Sequence, residues 1–209
     1  MKKYVYIVRH GQTELNKRGW VQGSGVDAHL NNIGQQQALA FYESFKHVPF
    51  DKVYTSKLIR TQQSVANFIG VGIPHQTLWG LNEISWGDKE GRPLTPEDDR
   101  QHFAMVKAWR AGKYDERSPG GESPAEVAYR QQLAWQYIMS HDHEENILIC
   151  MHGRAIRILL CQLMQVPLSE MDRFKHSNLG LYKLHFNGLH YEIELENDVN
   201  HLEPLIIGG

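Results

Sequence analysis

Short apolar runs separated by long helical patterns constrain this chain more than any other feature. Tyr4–Val8 and Asn146–Met151 are apolar at almost every position, which reads as strands buried on both faces. Lys52–Thr55 and Pro74–Leu78 are further strand candidates. Helical patterns fill the gaps. Ile33–Phe45 follows the plausible N-caps Asn31 and Asn32, and Leu58–Ile69 and Gly153–Met164 each follow a strand. Pro124–Met139 opens behind Ser123, with proline in the first turn and Glu126 three residues past the cap. Strands alternating with helices predict an α/β fold, a three-layer α/β/α sandwich around a mostly parallel sheet. Two more strands, Leu181–Phe186 and His190–Leu195, flank the hairpin signal Asn187-Gly188 and add an antiparallel edge. Between residues 91 and 121 the periodicity fades and Pro93, Pro96 and Pro119 punctuate, so that stretch reads as a small insertion covering one end of the sheet. The 209 residues read as a single domain, 1–209, carrying that insertion.

Charge excludes some functions. With 22 basic and 24 acidic residues the net charge is −2, so nothing global attracts nucleic acid or an anionic membrane. No stretch approaches the roughly 18 apolar residues of a membrane span, and the start of the chain is too briefly apolar for a signal peptide. Cys150 and Cys161 lie in apolar segments and read as buried thiols. A cytoplasmic setting is expected, and a homodimer is one option for the assembly.

Chemistry concentrates where strands end. The first strand breaks into Arg9, His10 and Gly11, and "NILICM" breaks into His152 and Gly153. In a parallel sheet both histidines then sit at the carboxyl edge, where ligands bind. His152 also opens a helix, whose free N–H groups favour an anion. Arg60 falls in the first turn after "KVYTS". Two arginines, two histidines and a helix N-terminus make a phosphate-sized positive pocket with no metal ligands. Elsewhere, His141 and His143 read as a solvated turn, Asp98-Asp99 as a helix start, and Trp79, Trp86 and Trp109 as packing.

The segment "RHGQTELN" resembles the R-H-G-x-T-x-x-N signature of the histidine phosphatase (phosphoglycerate mutase-like) superfamily. The likeness continues in order through "QGSGVDAHLNNIGQQQA", "VYTSKLIRTQQSVA", "LNEISWGDKEG", "GGESPAEVAYR" and "ICMHG". It implies a phosphoglycerate mutase-like fold and a role for each matching residue. His10 matches the nucleophile, and Arg9, Arg60 and His152 match the groups around the transferred phosphoryl. Glu83 matches the proton donor, with Glu90 and Glu14 as the other nearby carboxylates. Asn16, Gly11, Thr13, Gln22, Gly23 and Gly153 match phosphate- or substrate-contacting positions. His29 and Lys89 depart from the family's usual residues near the mouth of the pocket.

The function expected from this is a phosphomonoesterase that needs no metal or other cofactor and forms a phosphohistidine on His10. Its partner is a small phosphorylated substrate. A cofactor-dependent phosphoglycerate mutase is the alternative, but the stretch from Arg92 to Gly121 is short and lacks that branch's paired arginines. A phosphate-binding pseudoenzyme fits less well, since His10 and Glu83 are both present. Trp109, Arg110 and Tyr114 in the insertion are expected to tune the choice of substrate.

Overall fold

A computed structural model of the chain describes residues 2–203 and 205. Strands β1 (Lys3–Arg9), β2 (Lys52–Thr55), β3 (His75–Thr77), β4 (Asn146–Met151), β5 (Leu181–Phe186) and β6 (Tyr191–Asp198) form one sheet. Their order is β3-β2-β4-β1-β5-β6. The first four are parallel, while β5 and β6 run antiparallel at one side. Helices α1 (Glu14–Arg18), α2 (Asn32–Phe45), α3 (Ile59–Ser64), α4 (Ala66–Gly70), α5 (Pro96–Arg110), α6 (Pro124–Met139) and α7 (Gly153–Leu163) fill the connections.

The apolar runs are apolar because both faces of the sheet are covered. Val5, Ile7, Ile147, Ile149 and Met151 share one core with Val127 and Ile138 of α6 and Ile156 and Leu159 of α7. Tyr6, Val8, Leu148 and Cys150 point the other way and pack with Phe41 of α2 and Phe68 of α4. The result is the expected three-layer sandwich. Truncating any of these buried aliphatic side chains to alanine costs about 2–5 kcal/mol.

Three expectations need correction. The helix expected over Leu58–Ile69 breaks at Val65, whose φ of −121° leaves the helical region. Ser64 Oγ donates to the Arg60 carbonyl at 2.7 Å, a back-bond of the kind that bends helices, and the next turn tightens with Val65 N–H on the Gln62 carbonyl. The insertion, aperiodic in sequence apart from the helix start at Asp98-Asp99, holds a full helix: α5 occupies half of it. Its apolar stripe is thin, with Met105 and Trp109 buried and Phe103 69% exposed, so periodicity gave little sign of it. Its ends are better marked, by the capping box of Thr95 with Asp98, proline in the first turn, and Lys107 and Arg110 in the last. At the hairpin, Asn187 N–H donates to the His190 carbonyl at 3.2 Å, so Gly188 and Leu189 are the central residues and Gly188 takes the positive φ of 104°. The strand after it starts one residue later and runs three residues further than expected.

Among the described residues no helix is long and apolar enough to cross a membrane.

Candidate active site

The strand order brings the carboxyl ends of β1, β4 and β2 together. His10 N–H donates to the Met151 carbonyl at 3.0 Å, and Ser56 N–H to the Cys150 carbonyl at 3.3 Å. The His10 and His152 rings lie 5.2 Å apart between centroids. Both are buried, and so is Arg60.

Hydrogen bonds fix the tautomer of each ring. His10 Nδ1 is 2.7 Å from the Gly11 carbonyl, which can only accept, so Nδ1 carries the proton. Burial first, then the charges of Arg60 and Arg9, hold His10 well below the usual histidine range. The ring is therefore neutral at pH 7 with its lone pair on Nε2, the state a nucleophile requires. His152 is held neutral by the same causes in the same order, burial and then Arg60. Its Nδ1 accepts from Arg60 Nε at 3.3 Å, which leaves Nε2–H to donate to Ser56 Oγ at 2.8 Å.

The arginines are held differently. Arg60 donates to the Gly23 and Val26 carbonyls at 3.0 and 2.7 Å, and burial lowers it to about 10, still charged at neutral pH. Arg9 donates through Nη1 to the His176 carbonyl at 2.8 Å. Its Nε is buried with no partner among the described residues. A buried unpaired donor is costly, and an anion oxygen would satisfy it.

Glu83 lies in the loop after β3. Its Oε2 accepts from Arg154 N–H at 3.1 Å and its Oε1 from Ala155 N–H at 2.9 Å. It therefore caps the first turn of the helix that His152 opens. Of the other carboxylates considered, Glu90 is tied to Trp86 and Gly25 N–H groups and Glu14 pairs with Arg18 at the surface. Among the described residues no three His, Cys, Asp or Glu side chains are grouped to hold a metal ion.

A family model of the histidine phosphatase superfamily (branch 1) matches residues 5–199. The chain belongs to this superfamily. It is 29% identical to a probable phosphoglycerate mutase, GpmB, of Yersinia enterocolitica over 210 residues, covering 95% of this chain and 94% of that protein. It is 32% identical over 174 residues to human 6-phosphofructo-2-kinase/fructose-2,6-bisphosphatase 1, covering 82% of this chain but 35% of that protein. The chain thus spans about a third of the length of the 6-phosphofructo-2-kinase/fructose-2,6-bisphosphatase relatives it matches. Among solved structures, Bacillus stearothermophilus YhfR superimposes with a TM-score of 0.81 at 26% identity, over 96% of this chain and all of the other. A putative alpha-ribazole-5'-P phosphatase from Escherichia coli K-12 does so with a TM-score of 0.80 at 24% identity, over 94% and 96%, and shares the fold.

Several of the matched positions serve the scaffold. Gly11 N–H, expected to face a ligand, donates to Ser64 Oγ at 2.8 Å, and a Cβ there would meet the Gly34 carbonyl at 2.7 Å. Gly11 is thus a packing glycine whose N–H is already engaged. Gly153 lies against the His176 ring, which a Cβ would meet at 2.9 Å. Thr13 caps α1 in a reciprocal pair with Asn16, and its hydroxyl donates to Gln22 at 3.0 Å. Gly23 contributes its carbonyl to Arg60.

Sequence reasoning missed the struts. Arg130 of α6 is buried and donates to the carbonyls of Gly80, Asn82 and Glu83, each at 2.9 Å, while Glu122 accepts from it at 2.9 and 3.0 Å. It holds the loop that carries Glu83. Asn178 donates to the His10 carbonyl at 2.9 Å. Ser56 anchors His152, and His176 lies beside Arg9 with its ring pushed down to about 3 by burial and by Arg9. Arg130 and Glu122 belong to the quoted block "GGESPAEVAYR", but nothing in the spacing says which loop they grip.

Proposed function

We propose that this chain is a phosphomonoesterase that hydrolyses a phosphorylated small molecule through a phosphohistidine on His10 and needs no metal. The observation that carries the reading is the neutral His10 ring, its Nδ1–H fixed on the Gly11 carbonyl and Nε2 left with the lone pair. In the first step Nε2 forms a bond to phosphorus as the ester P–O bond breaks, and Glu83 gives its proton to the departing oxygen. In the second, a water attacks phosphorus, the P–N bond breaks, and Glu83 takes the water's proton. Arg9 and Arg60 meet the charge on the equatorial oxygens with forks that stay charged throughout. His152 reaches the phosphoryl oxygens only if Nε2–H turns from Ser56. In the geometry described it orients Arg60 instead. A cytoplasmic setting fits the two free, buried cysteines.

Full-length similarity to a probable phosphoglycerate mutase supports one second reading, transfer of the phosphoryl back to a phosphoglycerate. One assay separates the two. Purified protein is given 4-nitrophenyl phosphate, then 3-phosphoglycerate with bisphosphoglycerate, each with and without a chelator. Hydrolysis that survives chelation and is stopped by orthovanadate, without interconversion of 2- and 3-phosphoglycerate, supports the phosphatase. Rapid interconversion supports the mutase.

A further inference from the structure

Residues 176–179, just before β5, grip the end of β1. The His176 carbonyl accepts from Arg9 Nη1 at 2.8 Å, and the His176 ring Nδ1 lies 3.3 Å from the same nitrogen. Asn178 Nδ2 donates to the His10 carbonyl at 2.9 Å, and Leu179 N–H to the Arg9 carbonyl at 3.0 Å. The segment is itself tied down by Asn197 of β6, which accepts from Ser177 N–H at 2.7 Å and donates to Ser177 Oγ at 3.1 Å. Leu179 takes a positive φ of 53°, a conformation that a bulky residue keeps only where its surroundings over-determine it.

A guanidinium only donates, so His176 Nδ1 must accept and the ring proton sits on Nε2. That requires a neutral ring. Burial and then the charge of Arg9 push His176 down to about 3, so it remains an acceptor through the neutral range. Two acceptors of one residue thus meet one nitrogen of Arg9. Gly153 leaves the ring its place, since a Cβ there would meet Nδ1 at 2.9 Å. With Nη1 taken, Arg9 Nε is buried without a partner, and Nη2 makes no hydrogen bond among the described residues. Nε and Nη2 form the edge of a guanidinium that can bind two oxygens of one anion in parallel. Arg9 is also close enough to His10 for its charge to depress that ring.

We propose that His176 is a positioning residue, whose neutral ring and carbonyl together take up Arg9 Nη1 and so present the Nε–Nη2 edge of Arg9 to the transferred phosphoryl group. This role rests on the phosphomonoesterase reading above. A fork held at one corner before substrate arrives needs no reorganisation as charge builds on the equatorial oxygens, so the benefit falls on the transition state more than on substrate binding.

Three variants of the full chain test it. His176→Phe keeps a ring against Gly153 and removes the acceptor. His176→Asn returns an acceptor oxygen near the place of Nδ1, and His176→Ala removes ring and acceptor together. Each is read by kcat and KM with 4-nitrophenyl phosphate and by the inhibition constant of orthovanadate. Phe and Ala are expected to lower kcat and to weaken orthovanadate by about tenfold each, the size of one charge-assisted hydrogen bond, with KM little changed. Asn should recover most of both. Where circular dichroism shows that the Phe variant folds poorly, Ala against Asn carries the same comparison. Unchanged kcat and inhibition in Phe and Ala, equal losses in all three variants, or losses confined to KM would reduce His176 to packing and overturn the role. Wild-type protein that does not hydrolyse 4-nitrophenyl phosphate would instead sink the phosphatase reading. Direct binding of orthovanadate to wild type, Ala and Asn then still decides whether His176 sets Arg9 for an anion.

Discussion

The two ends of this active site are built on different plans. At the end proposed to take the phosphoryl group, Arg9, His10, Arg60 and His152 come from strand ends or the turn just after, and most of their polar atoms are paired. At the leaving-group end, Glu83 sits in a loop between a short strand and the insertion, and its position depends on Arg130 and the N-terminus of α7. The first end gains rigidity from the sheet. The second has no sheet beneath it and is held by long side chains reaching across layers. Chemistry common to many substrates suits the first plan, and selection among substrates suits the second.

Removing His10, the proposed nucleophile, is the most severe way to break this comparison. His10→Ala should lower turnover of 4-nitrophenyl phosphate by about 10⁴-fold or more and abolish covalent labelling by a phosphate donor, read by acid-labile, base-stable phosphoprotein. Glu83→Gln should cost about 10²–10⁴-fold with an alkyl phosphate. With 4-nitrophenyl phosphate, whose leaving group departs without a proton, the same variant should still be phosphorylated but resolve slowly. A burst of nitrophenolate is the expected signature. Normal turnover on both substrates would move the proton transfer to another group.

Arg130 sharpens the contrast because it never approaches the phosphoryl group. Arg130→Lys keeps the charge but cannot grip three carbonyls and Glu122 together. It should reduce kcat about tenfold or more on alkyl phosphates and less on 4-nitrophenyl phosphate, the pattern of a displaced Glu83. Equal losses on both would point to general damage. Arg130→Ala leaves Glu122 partly buried without its cation, with Ser85 N–H still donating to it, and should lower unfolding free energy by about 3–5 kcal/mol in a denaturant titration.

The pH response follows from His10 and His152. Both are depressed in the folded state, so the unfolded chain binds more protons once the pH falls below about 6.5. The stability they contribute is complete above that value and is lost as the pH falls toward their folded values. The acid limb of kcat/KM should accordingly lie well below 6.5. An inflection at 6.5 with the fold intact by circular dichroism would mean that His10 titrates like a solvated ring.

The smallest effect is expected at Glu14. Its exposed pair with Arg18 is worth at most about 0.5 kcal/mol, and Glu14→Gln should leave rate and burst unchanged. A burst gained there would transfer the second role from Glu83 to Glu14. Trp109 takes the packing role expected of it and stands apart from the substrate-tuning role. It is buried in the core and donates to the Glu116 carbonyl, so Trp109→Ala should cost about 3–5 kcal/mol of stability before any change in substrate choice is measurable.

The sequence alone determined the sheet and the phosphoryl end. Apolar runs of five or six residues without alternation are too short for buried helices and read as strands covered on both faces, and Arg9-His10-Gly11 and His152-Gly153 follow two of them directly. Residues one or two positions past a strand have nowhere to go but the sheet's carboxyl edge. The tertiary structure decided what holds the other end. Arg130 and Glu83 are 47 residues apart in the chain, and Asp172 is 62 from Arg110. A long arginine side chain reaches across layers without leaving any local period or cap. For the same reason only the start of α5 is legible, at Asp98-Asp99: most of its residues face solvent, and the few that pack do so against partners the local pattern does not contain. Gly11 shows the limit most directly. Its position beside the nucleophile reads as access for a ligand, and only the approach of Gly34 reveals that the space is taken by backbone.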